Sequence, residues 1–500
     1  METLNSLFYG LSVALELPNL ALIFGGCLMG TLIGVLPGIG PVGAISILLP
    51  LTFQLPPTGA IIMLAGIYTG AMYGGSTTSI LINVPGEAAS VVTCLDGYQM
   101  ARQGQAGAAL GIAVFGSFLA GTIGLIGLQM IAEPLSFLAL KFGPPEYFAI
   151  ILLGFTFIIY LAQQSVIKAA IMALTGLLLS MIGLDPITSQ PRMTFGVINL
   201  FEGLHVAPLA IGLFGLAEVL DNLEKAAPKK ILKVKIKSLF PRKTHWLQAK
   251  WAILRGTAIG FFMGTLPGGG PVLSSFISYG VEKRVSKNPE KFGHGAVEGV
   301  AAPESANNAA ASTSFIPLLT LGIPPNVVLA VLFGAFLIHG ITPGPLLIKE
   351  HPEVFWGIIG SMYVGNVILL ILNLPLIPLW VQVLKIPDKI LYPLIILLCV
   401  IGAYSINNNV FDILIMIIFG LSGYLLKKFA YEPAPLILAF VLGPMFEVNL
   451  RRSLLMSQGS FSIFLERPVA LAALVFFFIM VGLPIYRFIR KKMGWFPQRQ

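Results

Sequence analysis

Long apolar runs, cut by short glycine- and proline-rich interruptions, fill most of this chain. They lie near residues 19–36, 41–55, 57–73, 106–131, 146–162, 166–184 and 203–220, and again near 326–342, 353–375, 390–406, 409–426, 433–448 and 467–486. Many approach the roughly 20 residues that cross a bilayer as a helix. Residues 1–18 are amphipathic and acidic, with Glu2 and Glu16. The pattern predicts an all-α polytopic membrane protein of about 11–14 membrane segments, several of them broken or re-entrant.

Two interruptions are matched. Gly30-Thr-Leu-Ile-Gly34-Val-Leu-Pro37-Gly38-Ile-Gly40-Pro41 recurs as Gly260-Phe-Phe-Met-Gly264-Thr-Leu-Pro267-Gly268-Gly269-Gly270-Pro271. The offset is constant at 230, and Gly26 against Gly256 extends it one turn earlier. Each copy is an apolar helix stopped by Pro-Gly-x-Gly-Pro. In lipid the freed N–H and C=O groups have no water to bond, so such a break belongs in protein or beside a wet cavity. Paired broken helices in two halves of a chain point to a transporter binding site.

Weaker matches follow in the same order. Thr78-Ser79 matches Thr313-Ser314, Gln163-Gln-Ser-Val166 matches Asn407-Asn-Asn-Val410, and Ala207-Pro-Leu matches Ala434-Pro-Leu. The expected organisation is a first repeat at 1–220, a basic cytoplasmic linker at 221–250 and a second repeat at 251–448. An extra C-terminal helix with a basic tail completes it at 449–500. Cytoplasmic loops concentrate Lys and Arg. The linker and the tail are basic, whereas the first Lys or Arg of the chain is Arg102. The repeats are therefore expected to be inverted, with a periplasmic N-terminus and a cytoplasmic C-terminus. Arg451 and Arg452 stand against this count.

Composition agrees with a membrane class: 56% of the residues are hydrophobic and 11% charged, against roughly 25% charged in soluble domains. The net charge of +9 sits in a few connecting segments and is no nucleic-acid signal. Cys27, Cys94 and Cys399 lack metal-ligand spacing and read as small apolar packers. His205, His339 and His351 show no ligand spacing either. The N-terminus lacks the basic region of a cleavable signal peptide.

Candidate chemistry gathers at the breaks and just beyond them. Gly30, Gly34, Gly260 and Gly264 read as small-residue packing faces. Pro37, Gly38, Gly40, Pro267, Gly268, Gly269 and Gly270 read as backbone shaped to approach an anion. Ser76, Thr77, Thr78, Asn307, Asn308, Ser312 and Thr313 form two polar patches able to bond a carboxylate. Asn83, Asn307, Asn308 and Glu304 are candidates for a cation. Glu304 lies in apolar company, and an acid there is a functional candidate; it binds a cation or proton, or caps a helix that starts after Pro303. Asp96 caps a turn or lies at the membrane surface. No Lys or Arg occurs between residues 19 and 101. An anionic substrate would then be balanced by N–H groups, helix dipoles and co-transported cations.

These residues resemble the large membrane subunit of the tripartite tricarboxylate transporters, the TctA family. The resemblance rests on Gly34-Val-Leu-Pro-Gly-Ile-Gly-Pro41, Gly66-Ile-Tyr-Thr-Gly-Ala-Met-Tyr-Gly-Gly75, Asn83-Val-Pro-Gly-Glu87 and Leu95-Asp-Gly-Tyr98. In the second half it rests on Pro267–Pro271, Glu298-Gly-Val-Ala-Ala-Pro-Glu-Ser-Ala-Asn-Asn308, Leu321-Gly-Ile-Pro324 and His339-Gly-Ile-Thr-Pro-Gly-Pro345. It implies an importer of tri- or dicarboxylates in the bacterial inner membrane, driven by an ion gradient. It also implies two partners, a small TctB-like membrane subunit and a TctC-like periplasmic solute-binding protein. One departure is Pro324-Pro325-Asn326 where Pro-Gly would match Pro85-Gly86. Proline supplies neither a positive φ nor an N–H, so the second tip is expected to hold its ligand differently.

The expected function is secondary active symport of a carboxylate with a cation, sodium ahead of protons, and no other cofactor. A passive pore for small anions is the alternative. A membrane-embedded enzyme fits poorly, because the spans carry no histidine-rich metal set or paired catalytic groups. Helices at 106–220 and 353–448 are the expected static scaffold.

Overall fold

The computed structural model describes residues 2–36, 39–160, 165–224 and 239–492. Pro37, Gly38, Gln163, Gln164, the linker lysines Lys225 to Lys237 and the end of the tail lie outside the described residues.

Among the described residues the chain is a succession of helices with one two-residue antiparallel ladder. In order they are α1 Glu2–Leu15, α2 Leu17–Val35, α3 Gly40–Leu48, α4 Pro57–Ile82, α5 Val91–Met100, α6 Ala106–Ala139, α7 Pro144–Tyr160 and α8 Val166–Ser180. Then come α9 Val206–Ala210, α10 Ala217–Glu224, α11 Lys243–Thr265, α12 Gly270–Val285, α13 Glu298–Thr313, α14 Phe315–Leu321 and α15 Val327–Ile338. The last are α16 Leu347–Glu350, α17 Pro352–Asn373, α18 Ile377–Val383, α19 Asp388–Asn407, α20 Val410–Lys428, α21 Ala434–Met456, α22 Ile463–Glu466 and α23 Pro468–Lys492. Among the described residues seven helical stretches are long and apolar enough to cross a membrane, and six apolar helices are shorter. The protein is an all-α polytopic membrane protein.

The chain divides into two units. One comprises Met1–Leu140 and His205–Pro433, the other Lys141–Leu204 and Ala434–Gln500. Each draws on both halves of the sequence. α6 packs along α13, and α17 along α4, inside the first unit. Of the expected scaffold, residues 141–204 and 434–448 fall in the second unit, whereas α6 and α17 stay with the helices that carry the polar patches.

Two helix pairs dominate the first unit, α2 with α4 and α11 with α13. Lipid offers no hydrophobic drive for such pairing, so close van der Waals contact must supply it. Small residues every fourth position allow that approach. A Cβ on Gly26, Gly30 or Gly34 would overlap the carbonyl oxygens of Met63, Ile67 and Ala71. A Cβ on Gly256, Gly260 or Gly264 would overlap those of Ala302, Ala306 and Ala310. The partner α4 reciprocates: a Cβ at Gly74 would stand 2.5 Å from the Thr31 oxygen.

The described flanks of the two breaks match. α2 ends where Leu36 turns extended (ψ 120°), and α3 opens on Gly40 at φ +63°. α11 ends where Leu266 turns extended (ψ 133°), and α12 opens on Gly270 at φ +62°. Glycine adopts that φ at no steric cost. Pro41 and Pro271 fit the first turn of each new helix, where no N–H donor is required.

In the second unit α8 packs on α21, and Gly176 leaves room for the Leu436 carbonyl. The ladder pairs β1 (Gly183–Leu184) with β2 (Pro191–Arg192). Beside it Arg192 and Arg451 share Glu447 and Asp185, at 2.7 Å for Arg192–Glu447 and 2.7 Å for Arg451–Asp185. The Thr188 N–H and the Arg451 guanidinium hold the Asp185 carboxyl well below the usual carboxylate range. The Asp185 carboxylate therefore stays ionised at any pH above the ordinary carboxylate range.

Candidate functional site

The carbonyls that receive the glycines fix a structural register between α4 and α13. Met63 answers Ala302, Ile67 answers Ala306 and Ala71 answers Ala310, a constant offset of 239. That register continues beyond both helices. Asn83 ends α4 in the left-handed conformation (φ 59°), and 239 residues on, Gly322 ends α14 likewise (φ 69°). Glu87 and Asn326 follow at the same spacing with the same extended backbone, φ −147° and ψ 165° against φ −147° and ψ 168°. Each caps the next helix with its side chain. Glu87 Oε2 accepts from Ala89 N at 2.6 Å, and Asn326 Oδ1 accepts from Leu329 N at 3.0 Å.

Two expectations change. Helix packing pairs Thr313 with Gly74, not with Thr78, so the two polar patches are not equivalent by position. The departure at Pro325 also means something else. Gly86 is not among the positive-φ glycines; a Cβ there would overlap the Gly34 carbonyl. In both tips the left-handed residue lies three positions earlier, Asn83 or Gly322. Pro325 keeps its carbonyl free, and it accepts the Gly268 N–H at 2.7 Å. Each tip is thereby laid against the break of its own half.

α13 is the centre of the polar chemistry, and all of Gly299–Thr313 is buried. The Ser76 hydroxyl donates to Glu304 Oε2 at 2.6 Å, and the Thr93 hydroxyl donates to Oε1. α13 starts at Glu298, so Glu304 lies inside the helix and does not cap it. One turn on, Asn308 Nδ2 donates to Ser117 Oγ at 2.7 Å. Asn307 Nδ2 donates to Glu87 Oε1 at 3.2 Å, while its Oδ1 has no partner. Ser312 donates to the Asn308 carbonyl, Thr313 to those of Ala309 and Phe261, and Thr78 to that of Val35. Thr77 is buried, and Asn83 is exposed at its helix end.

A cavity opens between Thr69, Tyr73, Asn308, Ser312 and Asn366. The Tyr73 hydroxyl donates to Asn366 Oδ1 at 2.7 Å, and Asn366 Nδ2 donates to Thr122 at 2.9 Å. The structure thus gathers Ser76, Glu304, Asn307, Asn308 and Ser312 around α13. Thr78, Thr313 and Asn83 serve the helix joints instead. Tyr68, Glu87, Thr93, Ser117, Asn326 and Asn366 were not singled out by the sequence. Glu87 carried a signal as an acid directly after Pro-Gly, and Asn326 as part of the departure at Pro324-Pro325-Asn326. Among the described residues no group of three or more His, Cys, Asp and Glu could hold a metal.

Asp96 caps the approach to α13. It is fully buried and accepts from the N–H groups of Gly293 (2.9 Å), Gly295 (2.8 Å) and Ala296 (2.8 Å) and from the Tyr279 hydroxyl (2.9 Å). Its alanine variant strands four donors. Bonds to a charged acceptor contribute about 1.5–3 kcal/mol each, so Asp96→Ala is expected to lower the melting temperature in detergent sharply. Asp96→Asn, which keeps one oxygen, should fall between the two.

The model of the tripartite tricarboxylate transporter TctA family matches residues 20–438. The chain belongs to this family. An Agrobacterium vitis protein described as an uncharacterized 52.8 kDa protein in the TAR-I ttuC' 3' region is 51% identical over 492 residues, covering 98% of each chain. A second from the same organism, described as an uncharacterized protein in the TAR-II ttuC' 3' region, is 56% identical over 233 residues, covering 47% of this chain and 96% of its own. No solved structure matches. The TctA match includes both breaks, both tips and α13.

Proposed function

We propose that this TctA protein carries a tri- or dicarboxylate across the bacterial inner membrane by symport with a cation, sodium ahead of protons. A small TctB-like membrane subunit and a TctC-like periplasmic binding protein would be its partners. One observation carries the reading: Glu87 and Glu304 are both buried, and among the described residues neither forms an ion pair with Lys or Arg. Buried carboxylates without a counter-charge are costly. An anionic substrate arriving beside them adds to that cost unless a cation enters with it. The breaks support the reading too, since helix ends shaped by Gly40 and Gly270 present N–H groups where an anion can approach.

The inverted arrangement, with a periplasmic N-terminus and cytoplasmic C-terminus, belongs to the same proposal. It is supported by the shared build of the two breaks and tips. Arg451, which stood against the charge count, is paired with Asp185 and Glu447 and so carries little net charge at its surface. The test is uptake into proteoliposomes holding the large and small subunits, with the binding protein outside. Accumulation should require an inward cation gradient; equilibration without accumulation would favour a passive pore.

A further inference from the structure

The structural register makes the two hairpin tips counterparts, yet their chemistry differs. Glu87 is matched by Asn326, an acid against an amide. Tyr68 on α4 is matched by Asn307 on α13, again at 239. Each helix residue faces the opposite tip: Asn307 meets Glu87, and the Tyr68 hydroxyl lies beside the Asn326 side chain. The tips and the helices that face them thus form two half-sites related by the register.

Both half-sites hold buried polar atoms with no partner, which is costly unless a ligand satisfies them. At the Glu87 tip the orphan is Asn307 Oδ1, an acceptor on a residue 1% exposed. Nδ2 faces the Glu87 carboxyl, which leaves Oδ1 as the free atom. At the Asn326 tip Asn326 Nδ2 and the hydroxyl of Tyr68, a residue 0% exposed, lie beside each other, and neither has any other partner. This amide is fixed, because Oδ1 accepts from Leu329 N. Ser314 holds the register position of Gly75, which packs on the Glu87 side chain, and its buried hydroxyl is also an orphan. One tip therefore offers a carboxylate and a free carbonyl oxygen. The other offers the Asn326 amide N–H and the Tyr68 hydroxyl, with an amide where the first tip has an acid.

We infer that the tips have divided the labour: the Glu87–Asn307 tip binds the coupling cation, and the Asn326–Tyr68 tip binds a substrate carboxylate. Hard alkali cations take carboxylate, amide and carbonyl oxygens, which the first tip supplies. A carboxylate takes N–H and O–H donors, which the second supplies. The deduction rests on the symport reading and adds where each ligand sits. It also gives the unusual Asn326 a purpose, since an acid there would repel the anion.

The experiment uses the reconstituted complex with its binding protein, a sodium gradient, and citrate, malate and succinate as radiolabelled probes. Sodium and carboxylate dependences are measured separately for Glu87→Gln, Asn326→Asp and Tyr68→Phe. Glu87→Gln should raise the half-saturating sodium concentration about tenfold or more and leave carboxylate saturation at high sodium nearly unchanged. Asn326→Asp and Tyr68→Phe should do the reverse. Tyr68→Phe removes one oxygen and keeps the ring, so folding is preserved even if the acid substitution misfolds. Equal effects of all variants on both dependences, or sodium effects confined to the Asn326 tip, would overturn the division. If the unaltered complex accumulates none of the probes, the symport reading fails and this inference goes with it.

Discussion

Glu304→Ala is expected to abolish uptake and to lower thermal stability together. The carboxylate is the acceptor for both Ser76 and Thr93, which reach it from α4 and α5. It is therefore the polar joint of three helices. Each bond to a charged group contributes about 1.5–3 kcal/mol, and stranded buried hydroxyls add their desolvation cost. Glu304→Gln keeps the shape but offers one oxygen and one NH₂ to two hydroxyl donors. It should fold, melt a few degrees lower and transport at least about tenfold more slowly. Melting curves in detergent and initial uptake rates separate the two effects. A fully active, normally stable Glu304→Ala protein would remove this residue from the account.

Gly260→Val is expected to prevent assembly of the folded protein, with Gly30→Val equally severe. At both positions the new Cβ would overlap a main-chain carbonyl oxygen, of Ala306 or of Ile67. Backbone cannot swing aside as a side chain can, so the helix pair must separate. Overpacking of side chains alone costs about 1–3 kcal/mol, and here the loss should exceed that range. Gly25→Ala supplies the control on the same helix, because a Cβ there meets nothing within 4 Å. Expression followed by size-exclusion chromatography should show aggregate for the valine variants and a monodisperse peak for Gly25→Ala.

The fold was legible where it depended on backbone sterics. Runs near membrane length gave the helices, and Pro-Gly-x-Gly-Pro gave both breaks, because few other patterns stop an apolar helix so sharply. The small-residue spacing at Gly30 and Gly260 gave the packing faces. Side-chain partnerships were far less legible. Glu304 stood out through its apolar company, but Ser76 and Thr93 lie over two hundred residues away, and no local spacing joins them. The pairing of Glu87 with Asn326 was hidden because the repeat changes offset, from 230 in the broken helices to 239 in their partners. Thr78-Ser79 and Thr313-Ser314 match as letters, but the helix packing gives them different places. Asn326 was visible only as a departure beside Pro325, and its significance needed the capping geometry at both tips.

The most direct test of the account is gradient-dependent accumulation by the reconstituted complex. Proteoliposomes carrying the two membrane subunits receive binding protein loaded with labelled carboxylate, under an inward sodium gradient, an inward proton gradient or none. The account predicts accumulation above the external concentration with the sodium gradient and its collapse when a sodium ionophore is added. Uptake that reaches only equilibrium, at the same rate under all three conditions, would contradict it.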